Sequence, residues 1–363
     1  MLRRNFSRII LTVLMASSLS LQAQNVDYNI TGSGARAEGL GGAFIGVADD
    51  ATAVLWNPGG LTQLEKMEAS VVTRLKSQKS DATDVSASSS NFALNFASFA
   101  YPMKIGDNNV VFALAFQRQL DMNFSFEMTV LNNTYSYEVS GGVNTITPAA
   151  AIRLSPLLSA GLAANIWTGS YKVTSNFMGN LDASLSGFNL VFGGMADLSA
   201  LPKPIPMKIG VSLKTPFSMK SDQGNDDMPL MLGIGASYQV GDNLVFAADF
   251  ETRAYKSPIS ESDKGLNQVR IGGEYLVISR SNVIPIRAGF HTVPTVMADQ
   301  DALGNSTSNQ VSGTGFSIGT GYIASKFAID IAYTFDGYEQ KYGTESIKYS
   351  DGKLTVSLIY YLQ

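Results

Sequence analysis

The 363-residue chain has no cysteine and a single histidine, His291. The first absence excludes thiol nucleophiles, disulfides, Cys-ligated zinc and iron–sulfur clusters; the second excludes multi-histidine metal sites. A Ser-His-Asp arrangement keeps one chance, and no spacing of Ser or acidic residues supports it, so an enzyme is not expected, nor a metal or cofactor. Charge is scarce too, at 15% of residues, against roughly 25% in ordinary globular domains. The net charge of −4 argues against general nucleic-acid binding. Long apolar runs are also missing: beyond residue 23 no stretch offers 18 consecutive apolar residues, which argues against a helical membrane protein. What is abundant is hydrophobic residues at 45%, aromatics at 10% and 34 glycines. Few charges with many apolar, aromatic and glycine residues suit a β protein whose faces meet different solvents.

Residues 1–23 read as a secretory signal peptide. Arg3, Arg4 and Arg8 form a positive start, and Ile9 to Leu21 is a short apolar stretch broken by Ser17, Ser18 and Ser20, with cleavage expected after Ala23. A membrane anchor is the alternative, but a spanning helix needs about 20 apolar residues.

Beyond residue 66 the chain alternates with period two. Phe327, Ile329, Ile331, Tyr333 and Phe335 interleave with Ala328, Asp330, Ala332, Thr334 and Asp336. Leu354, Val356, Leu358 and Tyr360 interleave with Lys353, Thr355, Ser357 and Ile359. Such strands set one face on apolar material and the other on something polar. Fourteen strands are expected, at 67–76, 91–102, 109–117, 142–153, 157–171, 183–199, 206–214, 230–240, 243–255, 267–278, 283–293, 315–323, 326–336 and 353–362. Six short turns alternate strictly with seven long polar connections, at 77–90, 118–141, 172–182, 215–229, 256–266, 294–314 and 337–352. Short turns on one side and long loops on the other are the asymmetry of a transmembrane barrel. The sequence therefore predicts an all-β protein, a 14-stranded antiparallel transmembrane β-barrel over 67–363. A soluble sandwich or propeller is the alternative, burying the apolar face in a two-layer core.

Residues 24–66 differ. They are small and Gly/Ala-rich, with Asp49 or Asp50 placed to cap a helical turn near Ala51–Trp56 and a stop at Asn57-Pro58-Gly59-Gly60. Gly32 to Ala37 matches the dinucleotide fingerprint G-x-G-x-x-A, but lacks the strand before and the βαβ unit around it. Close packing of small residues inside a barrel explains it better.

The stretch Gly39-Leu40-Gly41-Gly42-Ala43-Phe44, Ala48-Asp49-Asp50-Ala51 and Trp56-Asn57-Pro58-Gly59-Gly60-Leu61 resembles the N-terminal hatch of FadL/TodX-type outer-membrane transporters. The resemblance covers about 30 residues, and beyond them the barrel agrees in pattern and strand count. It implies a hatch over 24–66 plugging a barrel in the outer membrane of a Gram-negative bacterium, in contact with its lipids. It implies passive uptake of hydrophobic small molecules, of the long-chain fatty acid or hydrocarbon class, gated by the hatch. In that family the substrate leaves sideways through an opening in the wall. Gly39, Gly41, Gly42, Asp49, Asp50, Trp56, Asn57 and Pro58 are the hatch and gating candidates. A closely similar motif marks the PorV/PorQ branch, which implies a second reading: a non-enzymatic subunit of the type IX secretion system that binds cargo or the translocon.

Two further groups are candidates from the residues themselves. Phe124, Phe126, Met128, Val130 and Leu131 form an apolar alternation inside the 118–141 connection, suited either to capturing a hydrophobic ligand or to packing between extended strands. If the apolar faces meet lipid, then Asp249, Glu251, Arg270, Glu274, Arg287 and His291 point into the lumen, either as a polar anchor or as ordinary salt bridges.

Overall fold

The structure is a computed structural model that describes residues 27–28, 32–82, 85–130, 133–222, 224–254, 265–279 and 282–362. Among these residues fourteen strands make up the barrel wall, and shorter strands at Asp27–Tyr28, Phe124–Val130, Phe217–Ser221 and Gly224–Met228 pair onto them. The strands are β1 Met67–Ala82, β2 Val85–Ile105, β3 Asn108–Asp121, β4 Asn133–Arg153, β5 Leu158–Ser175, β6 Leu181–Asp197 and β7 Met207–Lys214. They continue as β8 Met231–Val240, β9 Leu244–Arg253, β10 Leu266–Ser279, β11 Asn282–Gln300, β12 Ser306–Ile323, β13 Phe327–Tyr342 and β14 Glu345–Leu362. Each pairs antiparallel with its sequence neighbours, and β14 closes the ring on β1 from Leu362↔Met67 to Lys348↔Asp81. The expected signal peptide, residues 1–23, lies outside the described residues.

The wall is inside-out relative to a soluble protein. On β13, Ala328, Asp330, Ala332, Thr334 and Asp336 are buried, while Ile329, Ile331, Tyr333 and Phe335 are exposed. The same alternation exposes Phe246 and Phe250 on β9, Ile284 and Ile286 on β11, and Phe316 and Ile318 on β12. An apolar belt around a closed sheet is what lipid requires, because every backbone polar group is then satisfied within the wall. No helix among the described residues is long and apolar enough to cross a membrane.

The expected strands form, and among the described residues the expected long connections are largely strand as well; residues 256–264 of the 256–266 connection lie outside the described residues. β1 runs on to Ala82 and β2 starts at Val85, so most of 77–90 is a paired hairpin. Likewise β13 and β14 stay in register from Phe327↔Tyr360 to Tyr342↔Glu345. Strands of 16 to 21 residues exceed the roughly 9–11 needed to span a bilayer. Their surplus stands beyond it on one side, where polar residues pair as readily as apolar ones and carry no hydrophobic signature.

Residues 32–66 lie inside the ring. Two short helices, α1 Ala35–Gly39 and α2 Ala53–Trp56, are followed by a 3₁₀ turn over Pro58–Gln63. Thr52 holds the N-cap position of α2 without a side-chain bond, and the expected carboxylate acts two residues earlier, where Asp50 accepts from the backbone N–H and the hydroxyl of Thr52 in the turn that leads into the helix. Asn57 takes the capping role one step later, accepting from Gly59 N–H at the head of the 3₁₀ turn.

Candidate functional site

The inner segment is held around most of the circumference of the barrel. Ala35 N–H donates to Ser357 on β14, Ser33 to Asn95 on β2, and Gly41 N–H to Ser317 on β12. The adjacent N–H groups of Phe44 and Ile45 both donate to Asp249 Oδ2 on β9, at 2.7 and 2.8 Å. Ser237 on β8 donates to Gly46 O, Ser159 on β5 to Gly59 O, and Asn109 on β3 to Thr62 O. Backbone reaches the wall this closely because the wall offers glycine there. A Cβ on Gly289 of β11 would lie 2.6 Å from Gly41 Cα and closer still to its nitrogen. Gly41 itself has φ +67, a value that favours glycine. Gly289→Val is therefore expected to unseat α1 at a cost of about 3 kcal/mol. Trypsin cleavage after Arg36 in the folded barrel would report it.

The candidate hatch residues occupy distinct places in this disc. Gly39, Gly41 and Gly42 form the close-packed turn after α1, with a Cβ on Gly42 falling 3.1 Å from Arg270 Cδ. Trp56 is buried, donates to Ser33 O, meets Phe44 edge-on and lies under the Arg270 guanidinium at 5.5 Å. Asn57 ties Ile45 O to Gly194 O on β6, and Pro58 packs on Gly161 of β5. Asp49 is partly exposed and pairs with Arg36, whereas Asp50 is buried.

Burial, helped by the neighbouring Asp49 carboxylate, pushes Asp50 up to about 6. A carboxyl whose folded value lies above its unfolded value of 3.8 favours folding at low pH. That contribution is lost as pH rises from about 4 through 6. Asp50→Asn keeps an acceptor for Thr52 without the charge. It is expected to stabilise the protein by roughly 2 kcal/mol at pH 8 and by little at pH 4, read as the unfolding midpoint in detergent.

Asp249 accepts from the inner segment's backbone, and the other five candidate lumen residues fall into three connected ion groups. Arg36 of α1 pairs with Asp49 and, at 2.9 Å, with Glu274; Glu274 pairs with Arg287 at 2.6 Å, and Arg287 with Asp330 at 2.6 Å. Glu251 holds Arg253 at 2.6 Å and Arg270 at 3.2 Å. Asp336 sits between His291 Nε2 at 2.8 Å and Lys353 at 2.9 Å. Arg74 and Thr355 both donate to Glu38 of α1. The first group, through Arg36, and the Glu38 contacts fasten the disc to the wall. Glu251 and His291 lie next to Asp249 and Arg270, towards the long-connection end. Among the described residues no group of His, Asp and Glu is arranged to hold a metal.

A site that the sequence reading missed lies further along β3–β8. Buried Leu120, Val143, Trp167, Leu185 and Met219 form one inward apolar cluster, with Met122, Tyr171, Phe217 and Met228 packed against it. Tyr137, Val139 and Val173 extend it towards the long-connection end. Trp167 lies four residues along β5 from Ala163, which belongs to the core cluster of the disc, about 13 Å at strand rise, and its own cluster is separate from that core. Below it, Thr147, Asn165, Asn189 and the Trp167 indole N–H form a hydrogen-bonded layer. Of the proposed ligand loop, Phe124–Val130 is a strand paired with Asn133–Val139. The side chains of Phe124, Phe126, Met128 and Val130, and all of Leu131, lie outside the described residues. The signal available in the sequence was local loss of alternation: Ile166 and Trp167 are adjacent, and one faces out, the other in. At Leu120 the pattern is hidden by a bulge between Arg118 and Leu120.

No family model and no curated protein matches the sequence. Solved structures match over almost their whole length. A FadL homologue of Pseudomonas aeruginosa is 12% identical, with a TM-score of 0.67, covering 91% of this chain and 98% of that one. The Pseudomonas putida toluene transporter TodX is 13% identical, with a TM-score of 0.63 and coverages of 91% and 98%. The Ralstonia pickettii toluene transporter TbuX is 14% identical, with a TM-score of 0.61 and coverages of 93% and 100%. The fold of this chain is that of the FadL-type barrels.

Proposed function

We propose that this protein is an outer-membrane channel of a Gram-negative bacterium for passive uptake of hydrophobic small molecules, with the N-terminal segment as its hatch. The observation that carries the reading is the inward apolar cluster of Leu120, Val143, Trp167, Leu185 and Met219. Barrel lumens are ordinarily polar. An apolar molecule gains about 0.8 kcal/mol for each CH₂ that leaves water, so this wall is where it would rest. The disc of residues 32–66 stands between that wall and the short-turn end, and holding or yielding there is its gating role. The names of the structural neighbours, toluene transporters among them, agree with this class of cargo.

The test is purification from outer membranes in mild detergent, with mass spectrometry of everything that accompanies the protein. Fatty acids or other apolar molecules are expected. A stoichiometric secretion-system protein without an apolar ligand would contradict the channel and favour the secretion role.

A further inference from the structure

We infer that Lys214 binds the acid group of the cargo, so that the channel favours an aromatic carboxylic acid over a neutral molecule of the same shape; this rests on the channel reading above. The inference starts from one cation without a counter-charge. Arg36, Arg74, Arg253, Arg270, Arg287 and Lys353 each have a carboxylate within ion-pair distance. Lys214, the last residue of β7, shares the inward parity of buried Gly210 and Ser212, while Val211 between them faces out. Among the described residues it makes no hydrogen bond and no ion pair of its own.

Its surroundings account for this. The carboxylate whose charge reaches Lys214 is Glu251, and both Glu251 oxygens are taken, one by Arg253 at 2.6 Å and the other by Arg270 at 3.2 Å. The other carboxylate here, Asp249, turns one oxygen to the N–H groups of Phe44 and Ile45 in the disc. Three cations thus share two carboxylates, which leaves a place for one more negative charge. The amide layer beside it is spent on itself: Asn189 Oδ1 accepts from Asn165 and the Trp167 indole, and Asn165 Oδ1 accepts from Thr147. A half-buried ammonium with nothing to receive its N–H groups loses hydration without compensation. A carboxylate arriving beside it supplies a charge-assisted hydrogen bond and the missing charge together.

Lys214 also stands where an acid and a ring are met by the same wall. Its register partners are Val191, part of the core around the disc, and Met231. Asn189 lies one inward step towards the long-connection end, and the apolar cluster begins beyond it. Past Lys214 the pairing with β8 skips to Phe217↔Met228, where Pro216 has no N–H for a ladder. The skip changes the inward parity, so Lys214 and Phe217 both face the lumen although three residues apart, about 10 Å at strand rise. The Phe217 ring packs on Trp167 with centroids 4.9 Å apart, and Tyr171 packs against the same cluster. An aromatic ring gains more from such a wall than its buried area alone, through the ring quadrupoles. A phenyl ring on a short chain therefore reaches this wall while its carboxylate meets Lys214.

The test is titration of the purified protein in detergent, at neutral pH, with 4-phenylbutyrate and with its amide, 4-phenylbutyramide. The two probes carry the same ring and chain and differ in charge. The acid is expected to bind about tenfold or more tightly than the amide. Lys214→Met is expected to bring that ratio near one and Lys214→Arg to keep most of it, with unheated gel mobility reporting a folded barrel in each. A ratio near one in the unaltered protein would overturn the inference, as would a ratio that Lys214→Met leaves as it was. Heptanoate, a comparably apolar acid without a ring, is expected to bind more weakly than 4-phenylbutyrate; equal or tighter binding would overturn the aromatic class. Toluene separates this inference from the reading beneath it. If toluene binds while the acid has no advantage over the amide, the channel stands and the acid site falls. If neither toluene nor any of the other probes binds, both fall.

Discussion

Arg287→Met is expected to destabilise the folded barrel by about 3–5 kcal/mol. Arg287 is among the largest fully buried side chains, and its guanidinium lies 2.6 Å from both Glu274 and Asp330. Removing it strands Asp330 and leaves Glu274 to Arg36 alone. Desolvated carboxylates without a partner are what makes breaking a buried pair so much worse than never having built it. The aliphatic part of Arg287 also fills the space against Gly39, so Met is the replacement that keeps most of the packing. Arg287→Met combined with Asp330→Asn should recover much of the loss, since the stranded charge goes with its partner. Urea midpoints in detergent micelles separate the two. A loss below about 1 kcal/mol for Arg287→Met would mean that water reaches the network and that it holds the disc only weakly.

The second large effect concerns cargo rather than stability. Leu185→Gln is expected to weaken toluene binding roughly 10- to 100-fold while leaving the barrel folded. Leu185 is buried in the apolar cluster with Trp167 and Met219. Replacing a buried leucine by an amide of similar length removes about 1.5–3 kcal/mol of apolar contact, and each 1.4 kcal/mol is tenfold in affinity. The equivalent change at Phe316, exposed on the lipid face of β12, should leave binding unaltered. Titration of the purified protein with toluene checks both. Equal effects at the two positions would show that the loss is not specific to the inner wall.

The fold was largely legible because lipid imposes a simple pattern. Ile329, Ile331, Tyr333 and Phe335 face out, and Asp330, Thr334 and Asp336 face in, so period two alone placed the strands. Asp249, Glu251, Arg270, Glu274, Arg287 and His291 share the inward parity and are buried. Their partners were not legible, because Arg36, Glu274, Arg287 and Asp330 come from four distant parts of the chain. Strand ends beyond the bilayer were illegible, since paired polar segments such as 77–82 carry no hydrophobic period. The apolar cluster was missed for a related reason. A bulge at Arg118–Leu120 and the Pro216 break each change the inward parity, so Leu120, Phe217 and Met219 do not stand where counting from neighbouring residues puts them.

The most direct test of the account is where an apolar molecule sits. Crystals soaked with bromobenzene and measured at the bromine absorption edge would locate it without assumption. An anomalous peak among Leu120, Val143, Trp167, Leu185 and Met219 is the expected result. Bromine found only in the detergent around the outer belt, with that cluster empty, would contradict it.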